Sequence, residues 1–355
     1  MRDEDLEAAL LGAPCDLTRD DVSAATGIPE PAARAVWNAM GFAEVAPGER
    51  AFTRRDIEAL QTVQRLCESG IIDQDTLLIL ARAMGQGLSR LAEAQVDVFR
   101  SRAEGMTVEQ ATATAGYAAA DVLPQLEQLL VHVWRRQFVA ATGRAFAAAT
   151  EDGHPVMAVG FVDLVDFTRS SRRWSVSTLE RLLERFEADT ALRVTQYGGR
   201  VVKTIGDAVM YVTDNPQAAV EVALETVEAH AADEQLPNVR AGVALGQVLV
   251  RLGAVFGQPV TLASRLTDEA RARTVLVDSA LAATLQGDAA LDVRRLRRRS
   301  VRGYRSLTPH RLRRSGDPAP RGSKVAARQP AQQQVEARSR ALTNEHGHPV
   351  RSASA

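Results

Sequence analysis

The chain has 355 residues, 45% of them apolar, 25% charged and 5% aromatic, with a formal net charge of -1. That composition is ordinary for a water-soluble globular protein long enough for two domains, each able to bury a core without disulfides. The near-zero charge excludes a global electrostatic pull on nucleic acid or membrane surfaces, so any such contact must be local. Two cysteines, Cys15 and Cys67, offer neither a disulfide framework nor metal-ligand spacing. The acidic start, MRDEDLEAALLGAP, lacks the basic and apolar regions of a secretory signal, and no apolar run approaches the roughly 20 residues of a membrane span. A cytoplasmic protein is expected.

From Leu17 to about Arg100 the pattern is helical. Thr18 precedes Asp20 and Asp21 as a helix cap, and Gly27-Ile28-Pro29-Glu30 forms a turn into a helix over Ala32–Met40. This layout, with a further start at Phe52–Ile57, is similar to a helix-turn-helix or MerR-like regulator. DNA binding is nonetheless disfavoured, because the second helix presents only Arg34 to a phosphate backbone. Between Ile71 and Phe99, apolar residues recur at helical spacing, with Gly85 and Gly87 expected to loosen the middle. Such helices read as ordinary core, with a fatty-acid-sized tunnel as the alternative. Residues 1–122 are therefore assigned to a helical regulatory domain. A connector covers 123–154, with one long amphipathic helix over Leu123–Phe146 suited to packing against a partner chain.

From Val156 onward strands and helices alternate. A strand over Val156–Asp163, a helix over Ser175–Tyr197, a hairpin across Gly206-Asp207, a helix over Pro216–Ala232 and strands over Val239–Leu245 and Val248–Val255 follow in order. A helix over Pro259–Glu269 and a strand over Thr274–Asp278 come next, and a short helix and basic strands up to about Arg314 complete the set. The fold class is α+β, a ferredoxin-like βαββαβ domain over 155–314 with an antiparallel sheet and its helices on one face, preceded by an all-α domain. Residues 315–355, rich in Gly, Pro, Ser, Ala and Gln, read as a disordered tail.

The chemistry concentrates where apolar strands end in acids. Asp163 closes VMAVGFVD and Asp207 sits in the turn of VVKTIGDAVMYV. Both are hard oxygen ligands suited to Mg²⁺ or Mn²⁺, and two such ions about 3.5–4 Å apart can clamp an in-line phosphoryl displacement. Lys203 lies four residues before Asp207, where it can donate to a base or phosphate. Arg265 can stabilise charge developing on phosphorus. Each of these alone is more often a solvated surface charge.

Together, Phe161–Thr168 (FVDLVDFT), Lys203–Asp207 (KTIGD) and the segment from Val255-Phe256-Gly257 to Ala263-Ser264-Arg265 resemble the catalytic domain of class III adenylyl cyclases. The resemblance covers about Val156–Arg313; a weaker one, of layout alone, links the preceding helices to the soluble regulatory domain of actinobacterial members. It implies that ATP becomes 3′,5′-cyclic AMP and pyrophosphate. It assigns two metal ions to Asp163 and Asp207 with the backbone at Leu164, the adenine contact to Lys203, and transition-state stabilisation to Arg265. It also implies a homodimer whose sites draw the aspartates from one chain and Lys203 and Arg265 from the other.

The resemblance of the helical layout implies that this domain serves autoinhibition, pH response or fatty-acid binding, so a lipid or pH-type effector is expected there. Ala254 stands where the family has an aspartate or threonine acceptor for adenine, and Thr261 where an asparagine orients the ribose. Losing one base-recognition hydrogen bond costs roughly 1–3 kcal/mol, and losing a preorganised contact about 10²-fold in rate. A pseudo-cyclase, a nucleotide-binding signalling module with little turnover, is therefore the alternative function. Asp166, where the family commonly has Gly or Ser, is read as capping the next turn in preference to altering metal affinity. Of the basic run Arg294–Arg302, Arg302 is the candidate triphosphate contact and the rest a solvated strand face.

Overall fold

The computed structural model describes residues 3–147, 154–301 and 304–316. The chain divides into two compact units, residues 1–147 and 148–355. No helix among the described residues is long and apolar enough to cross a membrane. The expected tail from 317 onward lies outside the described residues.

The N-terminal unit is all-helical: α1 (Asp3–Leu11), α2 (Arg19–Thr26), α3 (Glu30–Ala39), α4 (Arg54–Glu68), α5 (Gln74–Ala103), α6 (Val108–Tyr117), a π-helical turn over Ala118–Val122, and α7 (Leu123–Ala147). Capping boxes start α2 and α4, where Thr18 and Thr53 exchange hydrogen bonds with Asp21 and Asp56. The α5 helix runs unbroken through both glycines. Gly85 is a contact point instead of a loosening one, since a Cβ there would lie 2.0 Å from the Met40 carbonyl at the end of α3. Between α2, α3, α4 and α5 lies an apolar cavity of about 540 Å³ lined by Val36, Trp37, Phe42, Phe52, Leu77 and Met84.

In the C-terminal unit, β1 (Val156–Leu164), α8 (Phe167–Ser170), α9 (Val176–Gln196), β2 (Arg200–Ile205), β3 (Ala208–Thr213), α10 (Pro216–Ala232) and β4 (Val239–Gln247) build the βαββαβ core. Then come β5 (Leu249–Arg251), β6 (Ala254–Phe256), α11 (Gln258–Glu269), β7 (Val275–Val277), α12 (Ser279–Thr284), β8 (Leu291–Arg295), β9 (Arg299–Val301), β10 (Tyr304–Leu307) and β11 (His310–Arg314). The main sheet has seven strands in the order β2-β3-β1-β4-β7-β11-β8. Its core is antiparallel, and β7 joins β4 in parallel through α11. The segment expected as one strand over Val248–Val255 is instead the small β5-β6 hairpin, turned by Leu252 and Gly253 in left-handed backbone conformations.

Helices cover both faces of this sheet, not one. Ala158, Val162 and Leu164 of β1 pack with Phe186 and Val194 of α9, Val220, Ala223 and Val227 of α10, and Leu281 of α12. The alternate residues Met157, Val159 and Phe161 face Ala263 and Leu266 of α11. This is why β1 reads as an uninterrupted apolar run: both of its sides are inside. Close approach of α11 to the sheet requires Gly242 of β4, where a Cβ would fall 2.4 Å from the Thr267 nitrogen and 2.5 Å from the Ala263 carbonyl oxygen.

Candidate active site

Strand pairing brings the two acids together. Asp163, the penultimate residue of β1, lies across from Ala208 of β3, so the turn carrying Asp207 sits beside it. The Leu164 amide donates to the Asp207 carbonyl at 3.1 Å, which ties the end of β1 to that turn. Asp163, Leu164, Asp166, Asp207, Arg240, Ser264, Thr267 and Asp268 line a common cleft of about 490 Å³. The α11 face of the sheet forms one wall, because Asp163 follows Met157, Val159 and Phe161 in the strand alternation.

The partner that the sequence does not reveal is Arg240. It stands opposite Asp163 in the β1-β4 ladder, and its Nε and Nη2 reach Asp163 Oδ2 at 2.8 and 2.6 Å. Nη1 also donates to the Asp268 carbonyl at 3.0 Å. Arg240 belongs to the VRAGVALG strand, where it reads as one polar residue in an apolar run; only the register discloses its target. Burial pushes the Asp163 carboxyl up from its ordinary value, Arg240 pulls it back, and Asp207 and Asp268 push it up again.

Among the described residues no group of three or more His, Cys, Asp or Glu side chains is placed to hold a metal. A pair of carboxylates is nonetheless the donor set that suits Mg²⁺, which is commonly held by one or two carboxylates together with substrate phosphates and water. Asp163 and Asp207 share one cleft and repel each other, so the residues present fit a divalent cation between them.

Asp166 corrects the capping expectation. Its backbone is left-handed, with φ 58°, and its side chain makes no cap hydrogen bond to α8; its carbonyl instead accepts from Arg169 and Ser170 at 3.2 and 2.9 Å. A side-chain cap needs an extended residue to aim its oxygen at the next amides, and left-handed backbone does not do so. Asp166 is instead one of the residues that line the cleft.

The other candidates lie outside the cleft lining. Lys203 is exposed on β2, next to a bulge between Val201 and Lys203 that departs from plain alternation. Ala254 opens β6, and Thr261 is exposed on α11. Arg265, also on α11, pairs with Asp268 at 3.0 Å, and its Nε is buried with no hydrogen-bond partner among the described residues. Arg200 donates to the Gly253 carbonyl at 2.8 Å, tying the start of β2 to the hairpin that carries Ala254. One chain thus joins Asp163, Leu164 and Asp207 in a cleft and does not bring Lys203, Ala254, Thr261 or Arg265 into it. Arg302 lies outside the described residues. Arg294, Arg295, Arg297 and Arg298 are exposed, and Arg299 pairs with Glu269 at 2.6 Å.

Comparison with known proteins gives a match of residues 150–314 to the adenylate and guanylate cyclase catalytic domain and of residues 9–139 to the adenylate cyclase regulatory domain. An adenylate cyclase of Streptomyces coelicolor is 41% identical over 289 residues, covering 79% of this chain and 74% of that protein. One from Glutamicibacter nicotianae is 35% identical over 326 residues, covering 86% and 81%. A pH-sensitive adenylate cyclase of Mycobacterium tuberculosis is 33% identical over 265 residues, covering 72% and 66%.

Proposed function

The chain belongs to the class III adenylate cyclase family, and from that premise we propose that it converts ATP to 3′,5′-cyclic AMP and pyrophosphate in the cytoplasm, at sites shared by two copies of itself. The observation that carries this reading is the division of labour within one chain: the Asp163–Asp207 cleft on one side, and Lys203, Thr261 and Arg265 outside it. A second copy, packed head to tail, supplies the missing half.

In this reading Asp163, Asp207 and the Leu164 carbonyl hold two Mg²⁺ or Mn²⁺ ions. These supply charge neutralisation at the triphosphate and a lowered pKa for the ribose 3′-hydroxyl. The 3′-hydroxyl gives up its proton to water, its oxygen forms a bond to the α-phosphorus as the bond from that phosphorus to the oxygen bridging it to the β-phosphate breaks, and pyrophosphate leaves. Arg265 exchanges Asp268 for the developing negative charge. Lys203 donates to the adenine ring, the Thr261 hydroxyl orients the ribose, and Ala254 supplies only van der Waals contact. Arg302 meets the triphosphate. The helical unit in front is regulatory, and its apolar cavity suits a lipid effector, with pH as the other input.

Ala254 and Thr261 favour a second reading, a pseudo-cyclase that binds nucleotide and signals by conformation. One experiment separates the two. Purified full-length protein with Mn-ATP should form cyclic AMP, and Asp207→Ala should reduce it by about 10²-fold or more. If the wild type does not exceed that control while ATP still raises its melting temperature, the pseudo-cyclase stands. Turnover restored by Ala254→Asp/Thr261→Asn would then identify what was lost.

A further inference from the structure

His230, near the end of α10, is 1% exposed and plays no part in the site described above. Its Nδ1 lies 2.9 Å from the Pro237 carbonyl oxygen. A carbonyl only accepts, so Nδ1 carries the proton. The other ring nitrogen, Nε2, is buried without a partner among the described residues, and the ring stands edge-on to Phe186 of α9, centroids 5.7 Å apart. Pro237 lies near the end of the loop 233–238, which leads into β4.

The next residue touches the active-site turn. The Asn238 carbonyl accepts from the Val165 amide at 2.8 Å, between Leu164 and Asp166. Arg273 steadies the same point, its Nε reaching Asn238 Oδ1 at 2.5 Å and its amide the Val239 carbonyl at 2.8 Å. A short path therefore runs from His230 through Pro237 and Asn238 to Val165, two residues beyond Asp163. Arg240, which clasps Asp163, lies three residues beyond Pro237.

We propose that His230 is a positioning residue for the Asp163 carboxylate: its Nδ1–H fixes the 233–238 loop, and that loop fixes both the exit of β1 and the start of β4. The neutral ring does this. A proton added to Nε2 finds no acceptor there, and hydrating it requires the ring to swing out, which breaks the bond to Pro237.

Few charged groups face the ring among the described residues. Burial pushes the imidazole below its ordinary value, the Pro237 contact and Asp189 of α9 pull it back, and Arg193 and Arg185 of α9 push it lower. Asp233, in the loop, is held by Arg185 at 2.7 Å. The sheet face against α10 is apolar at Val162, Val239, Ala241 and Val243 apart from Tyr211, whose hydroxyl bonds the Ala219 carbonyl three turns away from His230. Because the folded pKa lies below the unfolded one, the contribution of His230 is complete above its ordinary range and is lost as pH falls through that range toward the folded value.

The proposal rests on Asp163 being part of the cyclase site, but its test reads the loop whether or not cyclic AMP forms. Amide exchange of Val165 is followed by fragmentation-resolved mass spectrometry in the full chain. It is compared at about pH 7.5 and about pH 5.5, either side of an ordinary histidine. Rates are corrected for intrinsic pH dependence and referenced to the Leu266 amide, which lies inside α11 on the opposite face of the sheet.

Wild-type protection of Val165 should fall about fivefold at the acid pH relative to that reference. His230→Asn keeps an N–H donor that does not titrate and should hold protection at both values. His230→Leu should be low at both, with a matching loss of kcat and little change in KM wherever turnover is measurable. Wild-type protection that is insensitive to pH, or an asparagine variant that follows the wild-type fall, overturns the proposal. That comparison decides the matter even if the leucine variant fails to fold.

Discussion

Asp163 is half-buried and would be costly in isolation; Arg240 is what makes its charge tolerable without a cation. Their contact is a one-sided fork, both guanidinium nitrogens on a single oxygen, Oδ2. Among the described residues no hydrogen bond to Oδ1 is seen. Replacing Arg240 with leucine therefore leaves a partly desolvated carboxylate unpaired and should lower stability to denaturant by about 1–3 kcal/mol. Adding Asp163→Asn to that variant should recover part of the loss. A double variant destabilised by the full sum of the two single effects would show that the pair does not act as a unit. Ala254 and Thr261 sit at the opposite extreme: in the proposed reading they meet the substrate from outside the acidic cleft, and Thr261 is exposed on α11.

At the level of elements, the contact between α11 and β4 matters most, because α11 carries Thr261 and Arg265 while β4 carries Arg240. Gly242 sets their spacing. Gly242→Ala should push α11 outward, costing about 1–3 kcal/mol by overpacking. Cyclic AMP formation should fall by more than the unfolded fraction accounts for. Denaturant unfolding alongside the Mn-ATP assay checks both, and normal stability with normal activity would show that the helix shifts freely. The β5-β6 hairpin adds a second element-scale feature: Leu249, Val250, Leu252 and Phe256 are exposed apolar residues on a short arm. That composition suits burial against another copy of the chain.

For the whole molecule, the decisive prediction concerns the shared site. Asp207→Ala and Arg265→Ala should each be inactive alone. Mixed under conditions that allow subunits to exchange, they should regain activity, because one of the two sites in a mixed dimer carries neither change. Absence of recovery, with exchange confirmed by labelled subunits, would place all the machinery within one chain.

Most of the second unit's order is legible in the amino-acid sequence: Pro216 starts α10, the Gly206-Asp207 turn closes a hairpin, and apolar β-branched runs mark β1, β3 and β4. The capped helix starts of the first unit are legible at Thr18 and over Phe52–Ile57, while the capping box between Thr107 and Gln110 goes unread, since a glutamine three residues on is a weaker signal than an acid. Three things are not legible. The second helical layer arises because α11 is amphipathic in a way that either sheet face would satisfy, and only Gly242 and the β4–β7 crossover choose the face. Arg240 and His230 are single polar residues in apolar surroundings, and their partners lie far along the chain, 77 residues for Asp163 and, through backbone, 65 for Val165. Local sequence by itself determined the strands, helices and acidic motifs, because propensity, capping and alternation act over a few residues. The tertiary structure alone decided which side chain answers Asp163, that Asp166 joins the cleft without capping α8 and what steadies their loop, because register and burial join residues that no local pattern relates.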